Sequence, residues 1–257
     1  MLLTLKIGNT TIAAGVFRGT ELCAEWHVAT RYDATPDELG MAFVQYLDAH
    51  GVDMGALDDV MISSVVPPLN WALSLACRRY LKLDPTYLSA DWNLIPLEVR
   101  EPERVGSDRL ADCLAAYEQY GGPLLVVDFG TATTFNLIGE DGTFLGGAIG
   151  PTMELASETL TRRTAQLFKI ELLPPPSVVG KDTAEHLQSG IVLGFLDMVQ
   201  GLIQRFRQEH PAPLRVIATG GWGRFFAAQL DDVEIYDPQL ALNGLRIAWE
   251  RGAGRSA

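Results

Sequence analysis

Apolar residues fall along this chain in short runs broken by Gly, Pro and Thr clusters, the spacing of buried strands alternating with amphipathic helices. The first run, Leu2 to Leu5, opens a strand over 2–17 that pairs with 22–29 through a turn at Arg18-Gly19. Thr35-Pro36-Asp37-Glu38 then carries a helix start: an N-cap, a proline at the first helical position and a glutamate that closes a capping box. The predicted helix runs to about Gly51 and buries Leu39, Phe43, Tyr46 and Leu47. Val60 to Val66 reads as a buried strand, and Pro67-Pro68 starts a helix with Trp71, Leu75 and Cys77 among its apolar positions. A short strand near Thr86 to Ser89 closes this half. A connection over 90–105, with Pro96 and Pro102, delivers the chain to Gly106. A loop that long inside a compact domain is often functional. Leu110, Cys113, Leu114 and Tyr117 mark one face of the helix that follows.

The second half repeats the opening. Leu124 to Val127 runs into Asp128-Phe129-Gly130-Thr131-Ala132-Thr133-Thr134, a turn at Gly139 to Gly142 follows, and Thr143 to Ile149 is the return strand. Residues 2–11 align with 124–133, so each half begins with a strand that ends in a glycine-and-hydroxyl loop; Lys6 stands where the second copy has Asp128. A repeat of this kind governs the reading of the rest of the chain. A helix over Pro151 to Leu167 is expected to bury Leu155, Leu160 and Leu167. Pro174-Pro175-Pro176 is a stiff extended connector. Beyond Gly180-Lys181-Asp182-Thr183 a long helix carries the stripe Ile191, Phe195, Leu202 and Phe206, read as core or subunit interface. Leu214 to Ala218 is a buried strand ending in Thr219-Gly220-Gly221. A strand at Val233 to Tyr236 and a helix at Leu240 to Arg251 follow, and the small polar tail, 252–257, reads as frayed.

Composition narrows the function. The chain has 257 residues, 47% of them hydrophobic, enough for a sizeable core, and a formal charge of −12. Residues 1–121 hold 9 Lys/Arg against 17 Asp/Glu, and residues 122–257 hold 11 against 15. Neither half is basic, which argues against a nucleic-acid partner. Cys23, Cys77 and Cys113 are scattered without metal-ligand spacing and read as buried thiols of a reducing compartment. No apolar run approaches a membrane span, and the N-terminus lacks the features of a signal peptide. The expected location is the cytoplasm, with no membrane partner.

Candidate chemistry gathers at the glycine loops. A strand–loop–strand hairpin rich in Gly and Thr can aim backbone N–H groups and hydroxyls at a phosphate, although Thr is also simply a good strand residue. Gly8, Asn9, Thr10 and Thr11 in one copy, and Gly130, Thr131, Thr133 and Thr134 in the other, are the phosphate-binding candidates. Gly220 and Gly221 could let backbone approach a ligand closely, or form a plain turn. Asp108 has two readings: a first-turn carboxylate favoured by the helix dipole, or a general base. Arg109 would orient an anion, or be a surface arginine.

These motifs resemble the actin-like kinase and sugar-kinase superfamily. Gly106-Ser107-Asp108-Arg109 is similar to the Gly-Ala-Asp-Arg of type III pantothenate kinases, a family that includes Bvg accessory factor-like proteins. Ile62-Ser63-Ser64-Val65-Val66-Pro67, Gly146-Gly147-Ala148-Ile149, Gly180-Lys181-Asp182-Thr183 and Gln188-Ser189-Gly190 sit in that family's order over essentially the whole chain.

The resemblance implies an α/β fold of two duplicated actin-like (ribonuclease-H-like) subdomains, 1–117 and 118–257, with a nucleotide cleft between them. It implies ATP-dependent phosphorylation of pantothenate to 4'-phosphopantothenate, the first step of coenzyme A biosynthesis, by a homodimer. Asp108 is then the catalytic base; Gly106, Ser107, Asp108, Arg109, Val99 and Thr183 bind the substrate; Lys6 lies in the ATP site with Gly220 and Gly221. Asp128 would bind a monovalent cation, K+ or NH4+. The family carries an acid at position 6 that helps hold Mg2+, so Lys6 implies a lost magnesium ligand and weakened turnover. Thr152, Asn136 and Val99 also depart from the family's pattern. The alternative reading is an inactive or weak relative that binds nucleotide and acts as a regulatory, accessory-factor-like protein.

Overall fold

A computed structural model describes residues 1–252; of the tail read as frayed, Gly252 is instead the buried last residue of a helix, and 253–257 lie outside the described residues. Along the chain run β1 (Leu2–Ile7), β2 (Thr11–Arg18), β3 (Glu21–Ala29), α1 (Pro36–Ala49), β4 (Asp59–Ser64), α2 (Pro67–Ala76), β5 (Thr86–Tyr87) and α3 (Ser107–Tyr120). There follow β6 (Leu124–Phe129), β7 (Thr133–Ile138), β8 (Phe144–Gly150), α4 (Met153–Arg163), α5 (Thr183–Gln188), α6 (Gly194–Glu209), β9 (Arg215–Thr219), α7 (Gly223–Gln229), β10 (Ile235–Tyr236) and α8 (Leu240–Gly252).

The chain forms two compact units. The first comprises Met1–Gly121, Gly142–Phe144 and the stretch from Gln239; the second comprises Gly122–Asp141 and Leu145–Pro238. The first unit is discontinuous, because α8 joins it although the repeat placed that helix in the second half. The reason is a tight helix–helix contact. A Cβ on Gly244 of α8 would lie 2.0 Å from the Ala111 carbonyl oxygen of α3, so only glycine lets the two backbones approach this closely.

Each unit holds a five-stranded mixed sheet. The first has the order β3-β2-β1-β4-β5, with β1 antiparallel to β2 and parallel to β4. The second has the order β10-β9-β6-β7-β8, with β6 antiparallel to β7 and parallel to β9. The duplication read from the sequence is therefore a duplication of topology. The central strands β1 and β6 are buried almost throughout, as continuous apolar runs require when both faces are covered.

Local signals account for most helix starts. Thr35 caps α1 in a full capping box with Glu38, and Leu39, Phe43 and Leu47 are buried beneath it. Trp26 of β3 stacks on Tyr46, with ring centroids 5.6 Å apart. Trp71 of α2 is 70% exposed, while Leu69, Ala72, Leu73 and Ala76 make the buried face. Other expectations are corrected. α4 is shorter than expected, capped by Thr152, and buries Met153 and Ser157; Leu155 and Leu160 are exposed. Cys23 is exposed, whereas Cys77 and Cys113 are buried.

The long helical run after Asp182 contains a π turn at Ser189–Leu193 between α5 and α6. The wider turn rotates the helix face, so Ile191, Val192, Val199 and Ile203 are the buried positions and Phe195, Leu202 and Phe206 flank them. Residues 183–209 also correct an expectation about length. They form one helix long and apolar enough by composition to cross a membrane, at a mean hydropathy of 1.2. Their buried stripe packs in the second unit's core.

Candidate active site

In the first unit the geometry follows from two parallel strands. Ile7 and Ser64, the last residues of β1 and β4, are register partners, so both strands end at the same edge of the sheet. Ligands of open α/β sheets bind at such carboxyl ends. The loop leaving β1 is held as a tight turn: Gly8 N donates to Thr11 O at 3.0 Å, and the Thr30 hydroxyl donates to Gly8 O at 2.6 Å. Tyr32 donates to Asn9 Oδ1 at 2.9 Å. Asn9, Thr10 and Thr11 are exposed at the loop's tip.

α3 begins at this same edge. Ser107 Oγ lies 2.8 Å from Ser63 Oγ and accepts from Ser64 N at 3.1 Å, which pins the helix N-terminus to the end of β4. Asp108 is the second residue of α3, and its Oδ1 accepts from Arg109 N at 2.8 Å. A Cβ on Gly106 would fall 2.5 Å from that oxygen, so the glycine is what lets the carboxylate lie over the turn. Arg109 places its guanidinium 5.1 Å from the centre of the Phe144 ring. The structure thus brings Gly106, Ser107, Asp108 and Arg109 to the edge that bears Gly8 to Thr11. Val99, half-buried, belongs to the same unit, in a connection whose neighbouring residues line an open hollow of about 560 Å³.

One turn beyond Asp108 lies a group that the sequence reading did not single out. Asp112 is 1% exposed, and its Oδ2 lies 3.8 Å from Lys6 Nζ. The i, i+4 spacing from Asp108 was the available signal; its partner in β1 was not readable locally. Beside Asp112, burial and then the Asp112 carboxylate push the Cys113 thiol upward. Burial likewise pushes Cys77 up to about 12.

The second unit builds a related edge. Asp128 of β6 pairs in register with Thr134 of β7 and Thr219 of β9. It is 7% exposed. Gly220 has φ +83°, and a Cβ there would meet Asp128 Oδ1 at 2.3 Å and the Phe129 carbonyl carbon at 2.7 Å. Only glycine can take this conformation so close to the strand. Gly130 and Gly221 are exposed, and Thr131 is half-buried. Thr133 differs from the expectation of an open phosphate ligand: it is 2% exposed and donates its hydroxyl to Pro151 O at 3.0 Å. Thr183, exposed, opens α5 directly after the capping Asp182.

Two duplicated mixed sheets, each with a glycine loop leaving its central strand, define the actin-like ATPase and sugar-kinase class. The activator of 2-hydroxyisocaproyl-CoA dehydratase from Clostridium difficile, solved with bound ADPNP, shares the fold at a TM-score of 0.59 and 11% identity, covering 99% of this chain and 97% of that one. Residues 2–205 match the family model for type III pantothenate kinase. A type III pantothenate kinase of Roseiflexus sp. is 40% identical over 97% of this chain and 98% of its own length. That of Thermomicrobium roseum is 42% identical over 98% and 97%. The chain belongs to the type III pantothenate kinase family.

Proposed function

We propose that the protein transfers the γ-phosphoryl group of ATP to the primary hydroxyl of pantothenate, giving 4'-phosphopantothenate and ADP. The observation that carries the reading is the shared edge of the first unit, where a carboxylate on the first turn of α3 lies beside an exposed glycine-and-hydroxyl loop. Asp108 takes the hydroxyl proton as the substrate oxygen attacks phosphorus. The new O–P bond forms, the bond to the β,γ-bridging oxygen breaks, and ADP leaves with the electron pair. Such transfer asks the protein mainly for positioning and charge neutralisation. Gly8, Asn9, Thr10 and Thr11 offer one set of phosphate contacts, and Gly130, Thr131 and Thr134 another. Gly220 and Gly221 flank the nucleotide, and Arg109, Val99 and Thr183 contact pantothenate.

The buried carboxylate of Asp128, seated where Gly220 leaves room, suits a monovalent cation. Such an ion, when bound, supplies positive charge beside the phosphates. A divalent ion at the end of β1 does not fit: the side chain there is an ammonium, and the Asp112 carboxylate 3.8 Å from it is already in its field.

The protein is proposed to act in the cytoplasm as a homodimer. Ile149, Phe168, Leu173, Val178 and Val179 are large apolar residues left exposed on the second unit, and a second copy would cover them. Light scattering should give about twice the 28.0 kDa chain mass; a monomer at micromolar concentration refutes the dimer.

A coupled assay of ADP release, with the product identified by mass spectrometry, tests the activity. ADP release must depend on pantothenate; ATP consumption indifferent to it overturns the reading.

A further inference from the structure

The side chains around Lys6 place it on the α3 face of the sheet. Lys6 pairs in register with Ser63 of the parallel strand β4, and register partners project to the same side. Ser63 reaches α3 through Ser107, so Lys6 also faces α3, where it meets Asp112. Asp112 is 1% exposed, and burying a charged carboxylate that deep is costly without a cation beside it. The Lys6 side chain is 20% exposed and sits one residue before the end of β1, where the Gly8 to Thr11 loop begins. At 3.8 Å the pair is electrostatic, longer than a direct hydrogen bond.

We propose that Lys6 and Asp112 form a fixed ammonium–carboxylate pair that replaces a divalent cation at the end of β1, with Lys6 contacting the nucleotide's phosphates and Asp112 as the positioning residue that holds it. The proposal rests on the reading of this edge as an ATP site. It changes the meaning of Lys6: the lysine is not a deleted ligand but one half of a compensated exchange. Reversing one half alone is then harmful. Lys6→Asp would set a second carboxylate against Asp112, with Asp108 a turn away. Only Lys6→Asp combined with Asp112→Asn removes the pair without leaving like charges together.

The test is a double-mutant cycle on the full chain, read by ATP affinity in a calorimetric titration, with EDTA or excess magnesium, and by thermal melting. The natural protein should bind ATP with affinities within about threefold under the two conditions, and Lys6→Met should lose about tenfold or more in EDTA, the scale of a charge-assisted hydrogen bond. Lys6→Asp should melt lower than the Lys6→Asp/Asp112→Asn double variant, whose ATP binding should be tightened by magnesium at least about tenfold. Asp112→Asn alone should weaken ATP binding in EDTA while leaving Lys6 in place, and Asp112→Glu should restore part of it. Magnesium-dependent binding by the natural protein, unchanged affinity in Lys6→Met, or melting shifts that simply add would each overturn the pair's role. ATP binding absent from the folded natural protein in both conditions overturns the nucleotide reading itself, and the pair's contact with phosphate along with it.

Discussion

In the first unit the strand that feeds the glycine loop carries Lys6; in the second the equivalent strand carries Asp128. Both positions sit near the end of a central strand flanked by one antiparallel and one parallel neighbour. The surroundings, however, are opposite. Lys6 looks toward a buried acid on a helix, whereas Asp128 is packed against the backbone of a glycine turn. A duplicated fold thus preserves the backbone plan while the residue near the end of the central strand changes charge and company. The loop glycines differ in the same way. A Cβ on Gly8 would lie 3.0 Å from the Thr11 carbonyl oxygen, and one on Gly130 only 3.5 Å from Asp128 Oδ1, an ordinary contact.

The comparison breaks hardest at the acids. Asp108→Asn should cut turnover by about 10²–10⁴ while ATP affinity stays nearly unchanged, because only the proton acceptor is lost. Steady-state rates beside a binding titration check this, and equal losses in both would mark Asp108 as a structural cap. Asp128→Asn should instead flatten the response of activity to potassium, seen by replacing potassium with a large organic cation; an unaltered response would remove Asp128 from the cation's shell.

Glycine substitutions sharpen it next. Gly220→Ala combines a positive φ with a clash against the end of β6 and should cost about 3 kcal/mol or more in urea unfolding. Gly8→Ala should cost about 1–2 kcal/mol, and Gly130→Ala should stay within about 0.5 kcal/mol. Equal costs for these last two would show that the loops are more alike than their contacts suggest. Thr35→Ala, at the cap of α1 in the first unit, should cost about 1 kcal/mol, or roughly 2–4 °C in melting temperature.

Much of this was legible along the chain because its signals are local. The capping box at Thr35 needs four residues, and the duplicated strand–loop–strand needs about ten. Asp108 was found because it sits in a contiguous motif. The misreadings at Leu155 and Leu160 share a cause: both are apolar, but whether an apolar residue is buried depends on the neighbour that covers it. The stripe of the 183–209 helix does pack on the core, but its most buried positions, Val192, Val199 and Ile203, were not named because a π turn shifts the phase, which a 3.6-residue period cannot register. Asp112 escaped notice because its partner, Lys6, lies over a hundred positions earlier in the chain.

The return of α8 to the first unit bears on how the molecule is made. A ribosome emits Met1–Gly121 first, but the helix that covers α3 and reaches the Ala111 backbone is synthesised only after the second unit. The second unit, continuous from Leu145 to Pro238 once its opening hairpin has been made, has all of its strands available before α8 exists. The segment holding Asp108 therefore waits, incompletely covered, until the second unit has been made, reversing the usual order in which N-terminal domains finish first. Until α8 docks, the Ala111 face of α3 lies open. Premature termination anywhere upstream of Leu240 would strike the half that carries the proposed base.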